Sequence, residues 1–202
     1  MPEWLDFDAE RHEYRVKGER WPSVTEVLDP LLLLDGIPAM VLKAAADFGN
    51  HVHQAAHLLN LGRLDVGALD PKLAPYVSQW SRFLTDTGAI VTASEHRVAH
   101  GGLKVAGTLD AKARIRGQHW VLDLKTSAEI PPTVGPQTAA YERLDAEGEG
   151  RSRQHKRGVV HLLPDRYRFV PLTDPADWQV FLSALNVHRF REKHGTLRRP
   201  QQ

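Results

Sequence analysis

Apolar and polar residues alternate with a period of two along two neighbouring runs in the middle of the chain, the pattern of half-buried β-strands. From Val105 to Ile115, Val105, Leu109, Ala111, Ala113 and Ile115 fall on one side, and Thr108, Asp110, Lys112 and Arg114 on the other. From His119 to Thr126, Trp120, Leu122 and Leu124 alternate with Val121, Asp123 and Lys125. Reading Arg116-Gly117 as a two-residue turn sets Ile115 against Gln118, and hence Asp110 against Asp123. Ile90–His100 reads as a further strand. With Gly101-Gly102 as its turn, His100 stands against Leu103 and Glu95 against Thr108. Strand side chains alternate between faces, so this meander predicts Glu95, Asp110, Asp123 and Lys125 on one face.

Helical spacing governs the flanking segments. Ala44, Phe48, Val52, Ala55, Ala56 and Leu59 predict a helix over Lys43–Leu61, closed by Gly62. Tyr76, Trp80, Phe83 and Leu84 predict a second over Pro71–Thr87, with Gly88 as its end. Nearer the start, Leu5–Phe7 and His12–Val16 read as a hairpin across Asp8–Arg11. Ser23-Val24-Thr25-Glu26 then has the form of a capping box. Leu28–Leu34, broken by Pro30, Gly36 and Pro38, predicts short helices buried against the core. Beyond the meander come a short helix over Pro136–Leu144, a charged loop over Asp145–Arg157, a strand over Gly158–Leu163 and its hairpin partner over Tyr167–Leu172. Asp174-Pro175 opens a last helix running to about Lys193. His188, Arg189, Arg191, Lys193, Arg198 and Arg199 gather at its end, where they suit either the helix dipole or a nucleic-acid contact.

Composition narrows the chemistry. A chain of 202 residues, 42% hydrophobic and 25% charged, suits one soluble domain. No run approaches the ~18 continuous apolar residues of a membrane span. The acidic opening MPEWLDFDAE is unlike a signal peptide, so the expected location is the cytoplasm. The absence of cysteine excludes disulfides, thiolate zinc sites, a cysteine nucleophile and a cysteine-ligated iron–sulfur cluster. The net charge of +1 announces no broad basic face, leaving a local basic groove as the form that nucleic-acid binding would take.

Two carboxylates opposed across a strand pair have Cβ atoms roughly 4.5–5.5 Å apart and repel unless a cation lies between them. A protein that pairs two acids in this way usually holds a cation between them. Other readings compete. Asp110, Asp123 and Lys125 could form a salt-bridge ladder on an exposed face. His53-Gln-Ala-Ala-His57 has the histidine spacing of a zinc-peptidase helix, but Gln54 stands where the general-base glutamate must be, and an amide takes no proton from water.

Asp110, twelve residues, then Asp123-Leu124-Lys125 resembles the PD-(D/E)XK nuclease superfamily, and within it the RecB-like and phage-type exonuclease group. Gly49-Asn50-His51-Val52-His53 is similar to that group's G-x-x-x-H helix, Gly107-Thr108-Leu109-Asp110 to its G-T-x-D, Asp123-Leu124-Lys125-Thr126 to its D-x-K-T, and Gln137-Thr-Ala-Ala-Tyr141 to its Q-x-x-x-Y. Glu95 matches the acid of its first core strand, and Trp21-Pro22-Ser23-Val24-Thr25 a P-S-V-T element near the start of phage members. The resemblance spans roughly Pro22 to Leu172. It implies an α/β fold with a mixed sheet: a restriction-endonuclease-like αβββαβ core (43–172), flanked by extra helices and an N-terminal hairpin (1–42) and by a C-terminal helix and basic tail (173–202).

The implied activity is Mg²⁺- or Mn²⁺-dependent cleavage of single- or double-stranded DNA, as an exonuclease in recombination, repair or processing. A non-catalytic DNA-binding module that kept the fold is the alternative. By the same resemblance His53, Asp110, Asp123 and the Leu124 carbonyl hold the metal. Lys125 orients water and stabilises the transition state, or serves as base should its pKa be depressed. Glu95, Gln137 and Tyr141 complete the catalytic set, and Thr126, Lys112 and Arg114 are the candidates for substrate contact.

Overall fold

The computed structural model describes residues 5–8, 11–32, 36–151 and 154–195. Strands Leu5–Asp8 (β1), Glu13–Val16 (β2) and Glu19–Trp21 (β3) form an antiparallel sheet, so the expected hairpin gains a third strand. Ser23 then caps the short helix Val24–Leu28 (α1). Its side chain accepts from the Glu26 N–H, and Glu26 accepts from the Ser23 N–H, as the sequence predicted. Of the expected helices over Leu28–Leu34, a 3₁₀ turn at Asp29–Leu31 is present, while Leu33 and Leu34 lie outside the described residues.

The helices Ala39–Asn60 (α2) and Ala74–Thr87 (α3) precede a five-stranded sheet of Ile90–His100 (β4), Val105–Ile115 (β5), Gln118–Lys125 (β6), Lys156–Leu162 (β7) and Tyr167–Leu172 (β8). Neighbouring strands are antiparallel except β6 and β7, which run parallel and are joined through the helix Val134–Glu149 (α4). A parallel pair needs such a crossover, because no tight turn can reverse the chain twice. The helix Asp177–His194 (α5) closes the described chain. This is the expected mixed α/β core with its αβββαβ order.

Two apolar clusters hold the sheet between helices. In one, Val121 and Leu109 pack with Tyr141 and Leu144 of α4, Val24 and Val27 of α1, and Phe181 and Leu185 of α5. In the other, Ala111, Leu122, Leu124 and Val160 pack with Val52 of α2 and with Trp80 and Phe83 of α3. The uniform side assigned to β5 therefore breaks at Asp110: Leu109 joins the first cluster, Ala111 the second. The N-terminal sheet has its own cluster of Leu5, Tyr14, Val16 and Trp21 against Ala99 and Ala106.

Asp145–Arg157 is only in part the loop expected from its charge: its first five residues are helical and its last two begin β7. Helix α4 continues to Glu149 and ends at Gly150, whose φ of 62° is the left-handed conformation that glycine adopts without strain. Asp145 is only 1% exposed. Its carboxylate takes Lys112 Nζ at 2.9 Å and an Arg151 nitrogen at 2.7 Å, and Arg151 also binds Glu142 at 2.9 Å. The charges that suggested solvation are paired with one another instead. Lys112, a sequence candidate for substrate contact, is spent in this network, which also includes Glu149. Arg114 is exposed near the far end of β5, paired in register with His119. Arg189, on α5, donates to the Leu103 carbonyl at 2.6 Å, while Arg198 and Arg199 lie outside the described residues.

Candidate active site

The site forms where β5 and β6 part. Their pairing follows the predicted register from Ile115↔Gln118 to Ala111↔Leu122. At the next step the Leu124 N–H donates to Asp110 Oδ2 at 2.7 Å, so a carboxylate occupies the place of a backbone acceptor. On the other side, β4 pairs two residues further along than predicted, with His100 against Val105 rather than Leu103. Gly101–Lys104 makes a four-residue turn there, with Lys104 at φ 48°. A shift of two keeps the face, whereas a shift of one would have reversed it. Glu95 accordingly lies between the pairs Ser94↔Ala111 and His96↔Leu109, against Asp110 instead of Thr108. Its own φ is 48°, an uncommon backbone state for a residue with a side chain.

One turn-face of α2 meets this junction. His53 Nδ1 is 3.3 Å from Asp110 Oδ1, and His53 Nε2 is 3.0 Å from the Leu124 carbonyl. His53, Glu95 and Asp110 offer ligand atoms that all lie within 4.8 Å of one another. Asp123 faces Lys125, whose Nζ is 3.1 Å from Oδ1 and 2.9 Å from Oδ2. The same ammonium donates to Gln137 Oε1 at 3.2 Å, and Gln137 hydrogen-bonds with Tyr141. The structure thus brings together His53, Glu95, Asp110, Asp123, Leu124, Lys125, Gln137 and Tyr141, with Thr126 lining the same groove. Lys112 and Arg114 are not among the lining residues.

The other histidines of α2 have separate surroundings. His57 Nδ1 is 2.6 Å from Ser94 Oγ, and His51 is exposed. His53 and His57 therefore do not converge as the two ligands of a peptidase zinc would.

Electrostatics at the junction is set by burial opposed by pairing. Burial would lower the His53 pKa, but Asp110 overrides it and raises it to about 9. Both ring nitrogens face oxygens, which suits the doubly protonated imidazolium. Burial raises Asp110 while His53, Lys125 and the Leu124 N–H lower it, with a net shift downward. Glu95 is pushed up to about 7 by burial and then by Asp110. Asp123 rises to about 6, chiefly through burial, against the opposing pull of Lys125. Burial would depress Lys125, but Asp123 and Asp110 raise it above its ordinary value. Lys125 is therefore a charged donor here, and the depressed pKa that would make it a base is not found.

The donor set fits a hard divalent cation. Three carboxylates, one backbone carbonyl and one imidazole surround the junction, and Asp123 Oδ2 is buried without a well-directed hydrogen bond. His53 and Lys125 offset these acids within the chain itself, and Arg97 also acts on Glu95.

Sequence reasoning missed the outer wall. The N-terminal sheet reaches the site through Tyr14, whose hydroxyl is 2.8 Å from Thr108 Oγ1, two residues before Asp110. Phe7, His12, Tyr14 and Arg97 face Ala45, Phe48 and Gly49 of α2 across a groove of about 1180 Å³. The only signal in the sequence was Arg97, two residues beyond Glu95 on the same strand.

The packing also explains Gly107. A Cβ there would stand 2.7 Å from Tyr141 Cε1 and 3.3 Å from Val24 Cγ2. Gly107→Ala is expected to displace Tyr141 and Val24 and to cost about 1–3 kcal/mol of stability. Denaturant melts check this; unchanged stability would mean that Tyr141 and Val24 yield to the added methyl without loss of packing.

No family model matches the sequence, and no curated protein matches it. Among solved structures it is similar to a candidate exonuclease from Eubacterium rectale, at 11% identity and a TM-score of 0.51, over 90% of this chain and 91% of that one. Similarity to an alkaline exonuclease from Laribacter hongkongensis is weaker, at 12% identity and a TM-score of 0.43, over 85% and 87% of the two chains. At such identities the first likeness speaks for the fold, and the chain has the mixed five-stranded sheet flanked by helices that it shares with that structure.

Proposed function

We propose that this protein is a Mg²⁺- or Mn²⁺-dependent deoxyribonuclease, acting as an exonuclease in phage-type DNA recombination, repair or processing. The observation that carries the reading is the convergence of His53, Glu95 and Asp110 within 4.8 Å, beside the hydrogen-bonded chain Asp123–Lys125–Gln137. Asp110, Asp123, His53 and the Leu124 carbonyl would hold the ion, with Glu95 as the further acid. When bound, such an ion supplies positive charge to the phosphate and acidifies water. Lys125 carries a fixed positive charge to the phosphate oxygens and can hand a hydrogen bond to the attacking water. Gln137 steadies that ammonium, and Tyr141, whose pKa is raised well above its ordinary value, stays a neutral hydroxyl donor at working pH. The exonuclease fold of the Eubacterium rectale structure supports this reading at the level of architecture.

End-labelled single- and double-stranded DNA incubated with Mg²⁺, Mn²⁺ or EDTA tests the reading. Cleavage with either ion and none with EDTA is expected, and stepwise products would mark attack from an end. DNA binding with no cleavage under any condition would favour the binding-module alternative.

A further inference from the structure

Among the described residues lining the groove, the lysines and arginines are Arg97 and Lys125. Lys125 binds Asp123 and Gln137. Arg97 lies on β4 opposite Thr108, and its guanidinium carbon stands 4.7 Å from the centre of the Phe7 ring. Phe7 in turn packs on Tyr14, with ring centres 4.7 Å apart and planes tilted by 35°. Tyr14 is 1% exposed and hydrogen-bonded to Thr108 on β5. A continuous stack thus runs from the N-terminal sheet to the strand that carries Asp110.

Resting on the nuclease reading, we propose that Arg97 grips the DNA phosphate next to the one being cleaved, and that Phe7 positions it there. Stacking on an aromatic ring uses the face of a guanidinium, whereas phosphate recognition uses its in-plane N–H groups, so the two roles are compatible. Arg97 and Glu95 are two residues apart on one strand, a rise of about 6.5 Å. That separation is comparable with the phosphate-to-phosphate step of an extended strand, so a phosphate at Arg97 sets its neighbour at the acidic junction. The three-stranded N-terminal sheet then has a role in the reaction: through Tyr14 and Phe7 it fixes the reach of the guanidinium. The near-neutral chain needs no broad basic face if cations of the groove itself hold the phosphates.

The test compares Arg97→Gln, Phe7→Leu and Phe7→Tyr with the unaltered protein in steady-state cleavage of a single-stranded oligonucleotide across a salt series. Arg97→Gln is expected to raise KM about tenfold with a much smaller change in kcat, and to lower the salt slope of binding by about one. Phe7→Leu should raise KM in the same direction, and Phe7→Tyr, which keeps the ring, should restore it. Thermal melts identify any variant that has lost its fold, and Arg97→Gln carries the test alone if Phe7→Leu has. Cleavage by the unaltered protein with KM and salt slope unchanged in Arg97→Gln would overturn this proposal and leave the nuclease reading standing. Neither binding nor cleavage by the unaltered protein would overturn both.

Discussion

Lys125→Ala is expected to lower metal-dependent DNA cleavage by about 10³-fold, the scale on which one aligned charged donor contributes to a transition state. The loss should fall on kcat, because Lys125 is bound to Asp123 and Gln137 beside the acidic junction. Single-turnover digestion separates this from slower binding. The same variant carries a stability signature. Asp123 is buried, and its pKa already stands at about 6 with Lys125 in place, against an ordinary value of 3.8. An acid whose pKa is raised on folding binds more protons folded than unfolded, so stability falls as pH rises between those values. Removing the ammonium takes away the interaction that lowers Asp123, widening that window upward. Metal-free Lys125→Ala should therefore melt lower at pH 8 than at pH 6, by more than the unaltered protein does. Cleavage within a few fold of the unaltered rate would remove Lys125 from the chemistry.

Lys112→Met should act on stability, with little effect on cleavage per folded molecule. Lys112 Nζ is bound by Asp145 at 2.9 Å and by Glu149, and Asp145 is almost wholly buried. Truncating one partner of a buried ion pair leaves its counter-charge without compensation, at a cost of about 3 kcal/mol. Arg151 remains on Asp145 and limits the loss. For a domain of this size that corresponds to a melting point lower by roughly 6–12 °C. Unchanged stability with weaker DNA binding would reverse the assignment and return Lys112 to the groove.

The strand part of the fold was legible because alternation and turn chemistry agree. Arg116-Gly117 fixes the β5–β6 register, and the observed pairing follows it to Ala111↔Leu122. Gly101-Gly102 misled by two residues, since Leu103 and Lys104 extend the turn and Leu103 packs against the core. The face survived because the error was even. Asp145–Arg157 misled for a different reason. Its charges look solvated until Lys112 arrives from β5, and a pairing across tens of residues leaves no local pattern. His53, Gln137 and Tyr141 could be placed beside the acids from the motif resemblance, while Arg97 and Phe7 could not. Their contact depends on how the N-terminal sheet packs on β4 and β5, which no spacing within either segment encodes.

The most direct test of the proposed metal centre is Mn²⁺ titration followed by electron paramagnetic resonance, at pH 8 and pH 6, on the unaltered protein and on Asp110→Asn. Glu95, with a pKa of about 7, and Asp123, at about 6, hold protons at the lower pH that a bound ion must displace. His53, at about 9, must lose one at either pH. The account predicts Mn²⁺ binding at pH 8 that is about tenfold or more weaker at pH 6 and abolished in Asp110→Asn. Binding that ignores both pH and Asp110, or none at pH 8, would contradict it.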